Sequence, residues 1–299
     1  MSFATETVYG LGANALDVNA VARVFAVKNR PHFDPLIVHI ADRSWLPRLV
    51  TEWSATAERL ANHFWPGPLT LVLPKTDLVP DLVTSGLPSV ALRMPSHPLA
   101  LELLRLADVP VAAPSANLFG QLSPTCAVHV ADRLGDQIDY LLDGGPCSVG
   151  VESTVLLLES GRAILLRPGG VPLEDIESLI GPVELPSRTT TSDHEAALSP
   201  GMLPQHYAPR TPLAIVEELD TLAAPSRCGL LTLQPHPAAT RFAAVEVLSS
   251  GGDLTEAAAN FFAALRRLDA ACVERIVALP FPNHGLGRAL NDRLMRAAH

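Results

Sequence analysis

The chain lacks most of the signatures that name a chemistry at sight. Its four cysteines, Cys126, Cys147, Cys228 and Cys272, are far apart, with no CxxC pair. That excludes a zinc ribbon and a thioredoxin-type centre and suits reduced thiols. Ten histidines form no HExxH and no other ligand-spaced cluster, so no protein metal site is expected. There is no GxGxxG, and GGPCSVGVEST (144–154) lacks the Gly-Lys-Ser/Thr ending of a Walker A loop. No apolar run approaches the ~18 residues of a membrane span. The first residues show neither a basic nor a long apolar leader region, so a cytoplasmic protein is expected. A basic surplus is missing too: 22 Lys+Arg stand against 31 Asp+Glu, a net charge of −9. Residues 1–185 hold 12 cations against 20 acids and the remainder 10 against 11. Tight nonspecific nucleic-acid binding is therefore disfavoured.

What is present is a set of four cations in apolar surroundings. Lys28 and Arg30 follow a helical stretch, Arg93 interrupts a strand-like run from Ser89 to Met94, and Arg167 ends another, Ala163 to Leu166. Lysine and arginine are rarely buried without a partner, and an unpaired buried charge is costly. The simplest reading is a pocket for a polyanion, such as a nucleotide triphosphate or a carboxylate plus phosphates. Only two lysines occur, Lys28 and Lys75, so Lys28 stands where a compact ammonium is wanted or is a chance survivor.

Apolar periodicity places an α/β unit first. Asp17 reads as the N-cap of a helix to about Val27, with Val18, Val21, Ala22 and Phe25 on one face. Helices are expected over 51–64, 98–107 and 125–134. Strands are expected over 35–40, 69–73, 90–94, 109–113, 140–142, 153–158 and 163–167. Such interleaving predicts an α/β domain. From Gly181 to Pro212 the pattern dissolves into Pro, Ser, Thr and Gly, a long linker containing His206 and Tyr207. It is read either as a lid or as a plain tether. Strands over 213–216, 228–232 and 273–279 and helices over 254–268 and 286–297 predict a second, smaller α/β unit.

Several short segments carry hydroxyls and amides at strand ends, where open α/β sheets bind ligands. Ser115 and Asn117 in PSAN (114–117) share one side if extended, or form a local turn. Ser123 and Thr125 flank Pro124 and are either ligand contacts or an N-cap. Ser153 and Thr154 follow a glycine-rich turn whose glycines permit close backbone approach. His39 in LIVHI (36–40) is a core histidine or a ligand. TETVYGLG (5–12) sets two threonines and a tyrosine before Gly-x-Gly.

Taken in order, TETVYGLG (5–12), KNRPHFDPLIVHI (28–40), LRMP (92–95), PSAN, LSPT (122–125), VEST (151–154) and LRPGG (166–170) resemble the YrdC-type threonylcarbamoyl-AMP synthases over about residues 3–180. SPGMLPQHYAP (199–209) and GLGRALNDRLMRAA (285–298) are similar to the two-domain form of that family. The resemblance implies a YrdC-like twisted mixed sheet with a concave positive cavity at 1–182, a linker or lid at 183–211, and a Rossmann-like α/β domain at 212–299. It also implies a further strand and helix upstream of the first motif. The implied reaction joins L-threonine, bicarbonate and ATP into L-threonylcarbamoyladenylate and pyrophosphate, with Mg²⁺ carried on ATP, for threonylcarbamoyladenosine modification of tRNA. Downstream partners would be the threonylcarbamoyl-transfer machinery, with at most weak tRNA contact and no membrane.

Residue by residue, the resemblance assigns Lys28, Arg30, Asp34, Ser89, Ser115, Asn117, Ser123, Arg167 and Tyr207 to the ATP side, with Lys28 and Arg30 catalytic. Thr7, His39, Arg93, Ala113 and Ser153 fall to threonine, Ala113 through its backbone alone and Arg93 as a bidentate partner of the carboxylate. Two residues depart from the family pattern: Ala4 replaces a proline, and Asp34 replaces an asparagine. A carboxylate at position 34 repels phosphate unless paired. Rival readings are an RNA-binding YrdC-like module without catalysis, and a carbamoyl-adenylate domain of a maturation enzyme. The acidic charge opposes the first, and the missing CxxC motifs and acylphosphatase-like sequence oppose the second.

Overall fold

The computed structural model describes residues 1–185, 207–220, 222 and 224–298. His206 and most of the linker lie outside the described residues.

Fourteen strands are described. In the first part these are β1 (Ser2–Phe3), β2 (Gly10–Leu11), β3 (Ala13–Asn14), β4 (Ile37–His39), β5 (Leu69–Pro74), β6 (Ser89–Arg93), β7 (Val111–Ala112), β8 (Leu141–Leu142), β9 (Thr154–Glu159) and β10 (Arg162–Arg167). Seven of them form a mixed sheet in the order β10-β9-β5-β6-β4-β7-β3. A small sheet, β2-β1-β8, lies apart, with β1 antiparallel to β2 and parallel to β8.

Strand alternation explains why this sheet holds both a core and a site. Val38, Leu71, Leu92 and Leu156 join one apolar cluster, packed with Leu60 and Ala61 of the helix α3 (Ala55–Phe64). Their neighbours Ile37, Val72, Ala91 and Val155 point to the opposite face and form another cluster. Two residues further along that second face come His39 and Arg93, which are register partners on the parallel pair β4–β6. Arg167 reaches the same face by a different device. The register shifts between Leu165 and Arg167, so that Arg167 pairs with Val155. The bulge turns the side chain to the side that simple alternation would have denied it.

Helix α1 (Val18–Lys28) is capped by Asp17, whose carboxylate accepts from the Asn19 and Ala20 amides. Its buried face differs from the predicted one. Val21, Val24, Phe25 and Lys28 are buried, whereas Val18 and Ala22 face solvent. The helix expected over 51–64 starts at Ala55 because Ser54 caps it, accepting from the Ala57 amide. The helix over 98–107 is present as read. That over 125–134 starts at Ala127, and neither Ser123 nor Thr125 caps it. Short helices at Asp81–Thr84 and Leu173–Ile180 were not among those expected, although Leu173, Ile176 and Ile180 recur at helical spacing in the second.

The last part is a four-stranded, all-parallel sheet in the order β11-β14-β12-β13, with β11 (Leu213–Ile215), β12 (Cys228–Thr232), β13 (Ala244–Val247) and β14 (Arg275–Ala278). The helices Leu254–Ala270 and Leu286–Ala297 pack on it. Their core includes Phe261, Phe262, Leu290 and Leu294. The same cluster takes in Val8, Leu122, Val151 and Tyr207, so it runs on into the motif segments of the first part. Among the described residues no helix is long and apolar enough to cross a membrane.

Candidate active site

The four cations are all buried: Lys28 is 1% exposed, Arg30 6%, Arg93 3% and Arg167 3%. Three of them, Arg30, Arg93 and Arg167, line one cavity. Thr7, His39, Ala113, Ser115, Ser153 and Tyr207 line it with them. Nine of the residues named from the sequence thus converge on one space.

Each cation is held differently. Lys28 ends α1 and donates to the main-chain carbonyls of Ser115 and Asn117. It therefore sits beneath the PSAN turn and is not among the lining residues. Burial pulls its ammonium well below the usual lysine range, and the nearby Arg30 charge adds to this. Arg30 donates to the Asp34 and Pro35 carbonyls at 3.0 and 2.8 Å. Its guanidinium also pairs with the Asp34 carboxylate at 2.8 Å. Asp34 is thus compensated by the adjacent cation.

At the other end, Arg93 pairs with Glu6 at 2.6 Å and donates to Thr7 Oγ1 at 2.9 Å and the Gly67 carbonyl at 3.2 Å. Burial pushes the Glu6 carboxyl up, but Arg93 outweighs it and the group stands below its ordinary value. His39 lies beside this pair. Burial and then the Arg93 charge lower its pKa to about 3, so the ring is neutral at pH 7. Arg167 donates to the Ser153 carbonyl at 2.9 Å and to Ser153 Oγ at 3.2 Å. Ser153 Oγ is also 2.7 Å from Thr70 Oγ1.

Four other candidates lie outside the cavity lining. Ser89 opens β6, four residues and ~13 Å of strand before Arg93. The Asn117 amide turns into its own loop, donating to the Leu118 and Gln121 carbonyls, so the turn reading of PSAN holds for Asn117. Ser123 donates to Glu152. Asp34 faces Arg30. The glycine-rich turn also has a packing role: a Cβ on Gly150 would stand 2.3 Å from the Ala258 carbonyl oxygen. The close approach there is to the helix Leu254–Ala270.

Sequence reasoning missed Glu6, Glu152 and Arg293. Glu152 is the one carboxylate among the lining residues. It accepts from Ser123 and pairs with Arg293 at 2.8 Å. Burial raises its carboxyl, while Arg293 and then Arg167 bring it below the usual range. Glu6 and Glu152 lay within TETVYGLG and VEST. Arg293 carried its own signal, because it interrupts the apolar stripe Leu286, Ala289, Leu290, Leu294 and Ala297 of the last helix. Tyr207 covers the cavity in a left-handed conformation, φ 62°, which an L-residue adopts at a cost of about 1–2 kcal/mol. Its neighbour Ala208 donates to the Gly120 carbonyl at 2.8 Å, tying this segment down beside PSAN.

Fold and site together define an α/β protein whose mixed sheet brings three buried arginines to one cavity. A Sua5/YciO/YrdC family model, described as telomere recombination, matches residues 1–169. The model of the threonylcarbamoyl-AMP synthase C-terminal domain matches residues 171–299. The threonylcarbamoyl-AMP synthase of Pyrococcus abyssi is 44% identical over all of this chain and 90% of its own length. That of Bacillus subtilis is 44% identical over 100% and 89%. The structure of P. abyssi Sua5 complexed with L-threonine superposes with a TM-score of 0.90 at 42% identity, covering 99% of this chain and 89% of that one. The chain therefore belongs to the two-domain Sua5 family of threonylcarbamoyl-AMP synthases.

Proposed function

We propose that the cavity makes L-threonylcarbamoyladenylate and pyrophosphate from L-threonine, bicarbonate or CO₂, and ATP. The observation that carries this reading is the convergence of Arg30, Arg93 and Arg167 on one cavity with Thr7, His39 and Ser153. Arg93, Thr7, His39, Ala113 and Ser153 form the threonine end. Lys28, Arg30, Ser115 and Arg167 form the nucleotide end, with Asn117 and Asp34 shaping it from behind and Tyr207 over it. Ser89 and Ser123 are assigned to the nucleotide side through the family pattern alone. Domain limits of 1–182 and 212–299, with the intervening segment as a lid over a hydrolysable product, accompany this reading.

The chemistry needs little covalent help from the protein. The threonine amine adds to CO₂: a carbon–nitrogen bond forms as one carbon–oxygen π bond opens, and the nitrogen gives up a proton to solvent, leaving a carbamate. A carbamate oxygen then attacks the α-phosphorus of ATP, and the bond to pyrophosphate breaks. Such steps rely on positioning and on charge stabilisation. The lining carboxylate Glu152 is already committed to Arg293 and Ser123, so the lining residues form no cage for Mg²⁺. The ion belongs with the triphosphate oxygens. The product would pass, in the cytoplasm, to the machinery that transfers threonylcarbamoyl to tRNA, with tRNA contact on this chain weak.

The test is pyrophosphate release from ATP, Mg²⁺ and bicarbonate, with and without L-threonine. Threonine-dependent release is expected. Release that ignores threonine, or none from folded protein, would sink the proposal.

A further inference from the structure

Arg293 is the largest fully buried side chain of the described residues and 0% exposed. It comes from the last helix, yet its contacts are at the cavity of the first part. Its Nε pairs with Glu152 at 2.8 Å, and its Nη1 with Asp292 at 2.5 Å. Its guanidinium carbon lies 5.0 Å from the centroid of the Tyr207 ring. That ring packs in turn on Phe262 at 5.7 Å. One side chain thus touches both the lining carboxylate and the lining tyrosine.

A carboxylate in the wall of an anion-binding cavity needs compensation. Glu152 is 6% exposed, and two cations act on its charge, Arg293 and Arg167. If Arg293 is removed, Arg167 is the compensating charge that remains. Glu152 would then compete with an anionic ligand for it. The Tyr207 ring would lose the planar cation on its face at the same time.

We propose that Arg293 is a positioning residue for the nucleotide end: it neutralises Glu152 and seats Tyr207, so that Arg167 serves the bound anion. The last helix thereby completes a site it does not line. This rests on the nucleotide reading above.

Calorimetric titrations of ATP and of L-threonine, each into wild type, Arg293→Met and Glu152→Gln/Arg293→Met, test it. Methionine fills volume without charge, and the double variant leaves no buried unpaired carboxylate, a replacement that is often tolerated. For Arg293→Met, ATP affinity is expected to fall about ten-fold or more while threonine affinity stays within about two-fold. The double variant should recover ATP affinity to within about three-fold of wild type. Unchanged ATP affinity in Arg293→Met would overturn the inference. So would parallel loss of both ligands that Glu152→Gln does not relieve, since that marks a purely structural pair. Wild type that binds no ATP would instead overturn the nucleotide reading itself, and this inference with it.

Discussion

The two ends of the cavity hold their cations by different means. At the Lys28 end, donors go mainly to main-chain carbonyls: Lys28 to Ser115 and Asn117, Arg30 to Asp34 and Pro35. Carbonyls satisfy hydrogen bonds without cancelling charge; the Asp34 carboxylate, 2.8 Å from Arg30, offsets one of the two cations there. At the Arg93 end the partner is a carboxylate, Glu6, with Thr7 beside it. That end is close to neutral before any ligand arrives. The contrast suits the proposed substrates. A triphosphate needs surplus positive charge, whereas a zwitterionic amino acid needs an oriented fork and a polar wall.

The largest effect should come from breaking the neutral end. Arg93→Ala leaves Glu6 buried without its guanidinium, so stability in urea at pH 7 should drop by about 3–5 kcal/mol. Titrated L-threonine should no longer bind. A loss under about 1 kcal/mol would show that Glu6 is not paired as described.

Lys28→Ala probes the charged end. Turnover should fall about 100-fold, or about 2.7 kcal/mol of transition-state stabilisation, with the far-UV circular dichroism spectrum unchanged. The two carbonyls that lose their donor should lower stability by about 1–3 kcal/mol. Wild-type turnover would remove Lys28 from the nucleotide end.

His39 sharpens the comparison through pH. Its folded pKa is depressed to about 3 from 6.5, so the unfolded chain takes up the proton first. Its contribution to stability is whole above pH 6.5 and is lost as pH falls toward 3, at up to about 1.4 kcal/mol per pH unit. Between pH 6.5 and 5, wild type should lose about 1.6 kcal/mol more than His39→Asn, measured by urea unfolding. Parallel curves would mean that folded His39 takes up its proton as readily as the unfolded chain does.

The smallest effect belongs to Asp34→Asn. Arg30 keeps its two carbonyl acceptors, and the carboxylate that offsets its charge is gone. ATP affinity should tighten about three-fold, or about 0.7 kcal/mol. Weaker binding would show that Asp34 positions Arg30 more than it neutralises it.

Much of the site was legible because local rules applied. Cations interrupting apolar runs marked Lys28, Arg30, Arg93 and Arg167, and all four are buried. The parallel register of β4 and β6, which the structure supplies, put His39 and Arg93 on one face. For Asn117 the sequence left two alternatives, and the turn was decided by the structure, where its amide donates to the Leu118 and Gln121 carbonyls. Glu6 and Glu152 escaped notice because a buried carboxylate looks like a surface one until its partner is known.

The sequence by itself determined most of the longer helices and strands, though not β1, β2, β3 or β13, together with the cap at Asp17 and which residue types could not be left unpaired. Those follow from periodicity and from the cost of burying charge, both local properties. Only the tertiary structure decided which charges meet. The bulge before Arg167 turned it to the cavity face, and packing of the last helix brought Arg293 to Glu152, 141 residues away in the chain. Pairing across such separations depends on how whole sheets and helices stack, and no short window of sequence carries that information.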